Sequence, residues 1–223
     1  MKKLAMMSAL AGAMLFSGAA RADLVVYTDL AAWQAAAGAH TVETFSSATP
    51  NFSAADFAAT GFNGFTLSSV SNGDHSGIAD GPLSSGDPVP APFNGQNFYG
   101  WGDSGNGNEG PTSTFTFAAG TTAFGFDWFN TDSTDRYSLT INGSVFIPFD
   151  YVSSGFFGIV ATNGESFSSA VVQTADYGGY ISTEGLDNVR VGAAAAAVPE
   201  PGSLALLGLG LAGLAFGRKR RAA

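Results

Sequence analysis

Between Asp23 and Val191 the apolar positions recur mostly with a period of two. The run STFTFA (113–118) alternates polar and apolar residues, and AFGFDWF (123–129) puts Phe124, Phe126 and Trp128 on one face. RYSLTINGSVFIPF (136–149) is two alternating runs around Asn142-Gly143. That dipeptide favours a two-residue hairpin because its central positions must take φ > 0. Segments 24–27, 41–45, 62–70, 98–101, 155–161, 167–174 and 186–191 complete roughly ten strands. One stretch, DLAAWQAAA (29–37), has helical character, with Thr28 or Asp29 as N-cap and Gly38 as its stop. Many short strands separated by turn residues predict an all-β protein, an antiparallel β-sandwich of the jelly-roll kind with one short N-terminal helix.

The alternation fails in three places. Residues 71–111 are dominated by Gly, Pro, Asn, Asp and Ser, and predict long loops at one end of the sandwich with one short strand inside. The front of the chain, MKKLAMMSALAGAMLFSGAARA, joins Lys2 and Lys3 to an apolar run and an Ala20-Arg21-Ala22 cleavage site. It reads as a signal peptide over 1–22, and the mature body then starts at Asp23. Near the other end, residues 202–217 are apolar except for Ser203 and are followed by Arg218, Lys219, Arg220 and Arg221. Sixteen helical residues span about 24 Å, a short transmembrane helix. The basic cluster acts as a cytoplasmic stop-transfer signal. Pro199 and Pro201 keep the helix from starting earlier. The expected organisation is a signal peptide (1–22), an exported β-sandwich (23–192), a linker (193–197) and a membrane-anchored tail (198–223).

Charge sharpens this division. Seventeen of the 18 acidic residues lie between Asp23 and Val198, against Arg136 and Arg190 alone, so the body carries a net −15. Such a surface repels nucleic acid and attracts divalent cations. The chain has no cysteine, so its core, with or without a metal, must hold it together.

Val198-Pro199-Glu200-Pro201, the apolar run 204–216 and the basic cluster 218–221, in that order at the C-terminus, resemble the PEP-CTERM sorting signal of Gram-negative bacteria. The resemblance implies recognition by exosortase, a membrane-embedded cysteine transpeptidase. It also implies transient anchoring in the inner membrane, then release to the cell surface or the extracellular space. Proteins of this kind often accompany exopolysaccharide and biofilm formation. Gly208, Gly210 and Gly213 spell a dinucleotide-binding pattern, but no strand precedes them, and small residues here suit close helix packing instead.

Candidate chemistry in the body is sparse. Gly102-Asp103-Ser104-Gly105 echoes the surroundings of a serine nucleophile, yet only His40 and His75 exist as bases and neither has a triad context. No zinc motif is present. Calcium suits the acidic composition. TVETF and GLDNVRV are similar to the opening and closing strands of carbohydrate-binding jelly rolls, and that similarity implies a structural calcium ion at Glu43 and Asp187. A second set, Asp127, Asn130, Asp132 and Asp135, lacks the spacing of a known calcium loop. Tyr99 and Trp101 either offer ring faces to a sugar or pack beneath their own loops. The expected function is an exported, non-catalytic surface or matrix protein with polysaccharide as the candidate ligand. The alternative is a secreted carbohydrate-active enzyme using two carboxylates.

Overall fold

The structure is a computed structural model, and it describes residues 24–71, 75–81, 93, 96–102, 110–130, 136–149, 153–176 and 183–193. The signal-peptide, linker, sorting and stop-transfer segments lie outside these residues, as do Asp103, Asp132 and Asp135. Among the described residues, no helix is long and apolar enough to cross a membrane.

In chain order the elements are β1 (Leu24–Tyr27), α1 (Leu30–Ala37), β2 (His40–Glu43), β3 (Phe57–Phe62), β4 (Phe65–Val70), β5 (His75–Ala79), β6 (Phe98–Gly102) and β7 (Thr112–Phe117). They continue with β8 (Ala123–Asn130), β9 (Arg136–Ile141), β10 (Ser144–Phe149), β11 (Ser153–Ala161), β12 (Ser169–Asp176) and β13 (Thr183–Gly192). Two antiparallel sheets result. Sheet A runs β1-β11-β8-β13-β6-β5, with β2 also paired to β13, and sheet B runs β10-β9-β12-β7-β4-β3. The eight consecutive strands β6–β13 divide between the sheets as 6-13-8-11 over 7-12-9-10, which is jelly-roll winding. The earlier strands extend its edges. The described residues thus form the expected antiparallel β-sandwich.

The period of two builds the core. Phe115 and Phe117 of β7, Phe124, Phe126 and Trp128 of β8, and Leu139 and Ile141 of β9 all enter one apolar cluster between the sheets. The helix forms as predicted. Asp29 accepts the Ala32 amide at 2.7 Å, and Gly38 closes the helix at φ 69°. Asn142 and Gly143 take φ 48° and 77°, and Ile141 pairs with Ser144 across them.

Two expectations need correction. Residues 62–70 are not one strand: Asn63-Gly64 turns the chain between β3 and β4, with Gly64 at φ 98°. Residues 71–111 contain two strands rather than one. His75 of β5 pairs with Gly102 of β6 at one end and Ala79 with Phe98 at the other, so the connections in this segment leave from both ends. Glycine and serine let β5 run buried between neighbours without the apolar alternation that would have revealed it.

The outer face of sheet A is covered. Trp33 and Ala37 of α1 pack on Ala123 and Val160, with Phe156 alongside. Gly158 makes this landing possible, because a Cβ there would collide with the Trp33 indole. Trp33 Nε1 donates to the Ile159 carbonyl at 3.3 Å. Farther along the same face, Phe93 packs with Phe98, Phe129 and Ala79.

Candidate functional site

The charged chemistry gathers where β13 changes partners. On one side β13 pairs with β8 along most of its length. On the other, residues 183–186 pair with β6 and residues 189–192 pair with β2. Asp187 and Asn188 occupy the gap. Asn188 adopts φ 49°, a left-handed conformation that asparagine tolerates, and the ladder to β8 shifts register between Asp187 and Arg190.

Three charged side chains gather at this kink, with Glu43 at the end of the adjoining strand. Asp187 stands directly across from Asp127 of β8. Arg190 reaches back to Asp127 Oδ2 at 3.1 Å, donates to the Asn188 carbonyl at 2.7 Å, and lies over the Phe156 ring. Asp187 is buried, and its Oδ1 accepts the Asn188 amide at 2.6 Å. Burial lifts the Asp187 carboxyl to about 7; the Asn188 amide opposes this, the Asp127 charge adds to it, Arg190 counters it, and Glu43 adds a smaller push.

Glu43 is the residue of β2 nearest the gap and pairs with Val189. Its Oε1 accepts the Phe45 amide at 2.7 Å and its Oε2 the Asn63 amide at 3.1 Å. It therefore staples the end of β2 to the β3–β4 turn. Phe45 is held at φ 53°, an unusual conformation for an aromatic residue. Asn97 secures the same turn by donating to the carbonyls of Phe45 and Ala48, at 3.3 and 2.8 Å. The kink thus brings Glu43 and Asp187 into one neighbourhood, and both already brace backbone amides. Among the described residues, no group of three or more His, Asp or Glu side chains is arranged to hold a metal. Asp127 and Asn130 of the second acidic set separate, because odd and even positions of β8 face opposite sides of the sheet: Phe126 and Trp128 enter the core, and Asp127 pairs outward with Arg190.

The expectation for Tyr99 and Trp101 as sugar-stacking faces is corrected. Both rings are fully buried between the sheets. The Tyr99 hydroxyl meets Ser113 Oγ at 2.8 Å, and Trp101 Nε1 donates to the same oxygen at 2.7 Å. Ser113 donates to Ser69 Oγ at 3.1 Å, and Ser69 donates to the Thr112 carbonyl at 3.2 Å. These bonds tie β6 of sheet A to β7 and β4 of sheet B. Burial raises the Tyr99 phenol above its usual range, against the bond from Ser113. The alternation in FYGW directs Tyr99 and Trp101 to one face, and in a sandwich that face is the core.

An open cleft of about 500 Å³ lies beside Glu43 and is lined by Ser47, Thr49, Asn51, Phe57 and Asn63 among others. A smaller one of about 290 Å³ lies beside Asp80. Each contains a single carboxylate. The two histidines serve packing: His40 meets the edge of Trp33, and His75 stacks on Phe52. The Asp127–Arg190 pair and the Asn97 bridge were not anticipated. They join residues 63 and roughly 50 positions apart in sequence, and no local pattern links such partners.

The fold and site define an acidic jelly-roll sandwich. Its chain carries the PEP-CTERM protein-sorting motif over residues 197–221. That motif marks an exported protein anchored through its C-terminus before exosortase processing. No curated protein matches the chain in sequence. Among solved structures, a mutant of the family 29 carbohydrate binding module CBM29-2 is similar at 12% identity, covering 70% of this chain and 94% of that chain, with a TM-score of 0.35. The CBM36-1 domain of a multidomain xylanase from the hindgut metagenome of Trinervitermes trinervoides shares 18% identity, over 70% of this chain and 99% of that one, at a TM-score of 0.33. The K2 cleaved adhesin domain of Lys-gingipain shares 12%, over 69% and 97%, at 0.38. These likenesses are too distant to bear on the site.

Proposed function

We propose that this protein is an exported, non-catalytic component of the cell surface or extracellular matrix. Exosortase sorts it through its tail, and its body holds polysaccharide. The observation that carries the reading is the sorting motif at 197–221 behind an acidic β-sandwich. Mass spectrometry of surface-extracted protein is expected to find peptides of the body and none beyond Pro201. A surface form retaining Arg218–Arg221 would sink the sorting reading.

The kink supports a second element of the proposal, a structural calcium ion near Glu43 and Asp187. Asp127 pairs with Arg190, Asp187 stands across from Asp127, and Glu43 ends the strand that meets β13 beside them; carboxylates are the hard oxygen donors that calcium prefers. Glu43 on β2 and Asp187 on β13 would bind the ion, and it would supply charge neutralisation and tie these strands together. Calcium is then expected to raise the melting temperature, and EGTA to reverse the rise. An unchanged melting temperature removes the ion. If Glu43→Ala and Asp187→Ala both keep the response, the ion sits elsewhere.

A further inference from the structure

Among the described residues, nothing packs over the outer face of sheet B, and its strands carry almost no charge. Its six strands contain only Arg136 and Asp176 as charged residues, and these pair in register at one end of the sheet. This neutrality stands out in a body with a net −15.

What the face displays follows from register. Phe65 and Leu67 of β4, Phe115 and Phe117 of β7, and Ala170 and Val172 of β12 enter the core, so their neighbours point outward. Thr66 lies beside Thr116, and Thr116 beside Ser169. In the next row Ser68 lies beside Thr114, then come Val171, Thr140 and Val145. Thr112 lies beside Val70. Seven hydroxyls, those of Thr66, Ser68, Thr112, Thr114, Thr116, Thr140 and Ser169, therefore stand in rows. Neighbouring strands set them about 4.8 Å apart in one direction and about 6.8 Å in the other. Among the described residues, none of the seven bonds to another protein group. The inward serines of β4 and β7 behave differently: Ser69 and Ser113 are both engaged. On the outward alternation of β9, Ser138 is buried and donates to the Gln173 carbonyl, so it adds nothing to the grid. Of the apolar side chains on this face, Val70, Val145 and Ile147 are exposed, and half-buried Val171 interrupts the middle row between Thr114 and Thr140.

We infer that this face is the docking surface for an uncharged polysaccharide. The inference rests on the polysaccharide reading above and names its surface and its chemical class. Each hydroxyl is one donor and two acceptors with no net charge, so the grid matches a partner with the same chemistry. A polyanion would find only Arg136, at one end of the sheet opposite Asp176, and would be repelled by the acidic body around it. A protein partner would expect the aromatic, Met and Arg anchors that interface cores favour, and the rows contain none. Single neutral hydrogen bonds gain little over water, so the repeat is the essential feature: a polymer with regularly spaced hydroxyls engages many at once.

The test mixes the purified full-length chain, in mild detergent, with insoluble cellulose or chitin and, separately, with alginate. Depletion by a neutral polymer, unaffected by high salt, is expected. Thr114→Asp combined with Thr116→Asp is expected to weaken association at least about tenfold. Thr114→Val with Thr116→Val, which keeps strand propensity and adds no charge, is expected to weaken it about threefold. An unchanged melting temperature confirms that each variant folds. Equal binding by wild type and both variants overturns the face and leaves the polysaccharide reading standing elsewhere on the body. No binding of the wild type to either neutral polymer overturns both. Binding to alginate alone overturns the chemical class. A wild-type dimer in sedimentation that the Asp variant dissociates overturns the ligand, since the face would then join two copies. The sorting reading is decided separately by the surface peptides.

Discussion

The two sheets share one core but have opposite exteriors. Sheet A carries Glu43, Asp127, Glu184, Asp187 and Arg190 in its strands, and its outer face is roofed by α1 and by Phe93. Sheet B carries two charges at one end and leaves its rows of Thr and Ser open. Covering a sheet removes water from whatever lies beneath, so polar groups there must find partners in the protein. Arg190 therefore meets Asp127 and the Asn188 carbonyl, and Asp187 meets the Asn188 amide. An open sheet imposes no such demand, and its hydroxyls remain available. Burial thus separates an internal bracing site from an external recognition surface.

The strongest break of this contrast is to unroof sheet A. Trp33 is fully buried, fills the space left by Gly158 and bonds to the Ile159 carbonyl. Trp33→Ala is expected to cost about 3–5 kcal/mol in denaturant unfolding. A cost below about 1 kcal/mol, within reach of an ordinary surface change, would mean that the helix merely rests on the sheet. Next in size is the bond chain between the sheets. Ser113→Ala removes the oxygen that the Tyr99 hydroxyl and Trp101 Nε1 share, and a buried polar group that loses its partner costs about 1–3 kcal/mol. Wild-type stability in this variant would show that water replaces the serine.

How far the sequence reaches depends on the range of the interaction. Alternation is local, so STFTFA, AFGFDWF and the Asn142-Gly143 hairpin were legible, as were the Asp29 cap and Gly38 stop of α1. Asn63-Gly64 was equally local and signals a turn; the apolar run around it concealed the break between β3 and β4. The sandwich also followed from the turn spacing. The site was half legible. The strands that carry Glu43 and Asp187 meet only because β13 exchanges β6 for β2 at Asn188, a long-range event, and each carboxylate binds a backbone amide there. Tyr99 and Trp101 were open to two readings, because an aromatic residue in a glycine-rich stretch has the same local signature inside or outside. The winding of the jelly roll puts both inside. The hydroxyl grid was present as the polar half of each alternating run, and becomes a surface only once register aligns β4, β7, β12 and β9.

Titration distinguishes the sheets at smaller cost. Burial raises the Asp187 carboxyl from 3.8 to about 7. Between those values the folded protein keeps a proton that the unfolded chain has released. The associated stability is fully present below pH about 4, falls as pH rises, and is lost once pH passes about 7. Melting temperatures measured across this window should therefore decline as pH rises, beyond the trend set by the other acids. Asp187→Asn has no proton to release and should flatten that decline. An identical slope in the variant would mean that Asp187 is solvated and titrates normally.

The smallest expected effect is also the sharpest check on the comparison. Thr114 sits in the middle of sheet B, beside Ser68 and Val171, and its hydroxyl bonds to no described protein group. Thr114→Val exchanges that hydroxyl for a methyl of similar shape in a residue that favours strands. Stability should change by no more than about 0.5 kcal/mol in either direction. A loss well above that would show that the hydroxyl already serves the fold, as that of its neighbour Ser113 does on the core side of the same strand. Sheet B would then resemble sheet A in using its polar groups internally, and its face would have little left to offer a ligand.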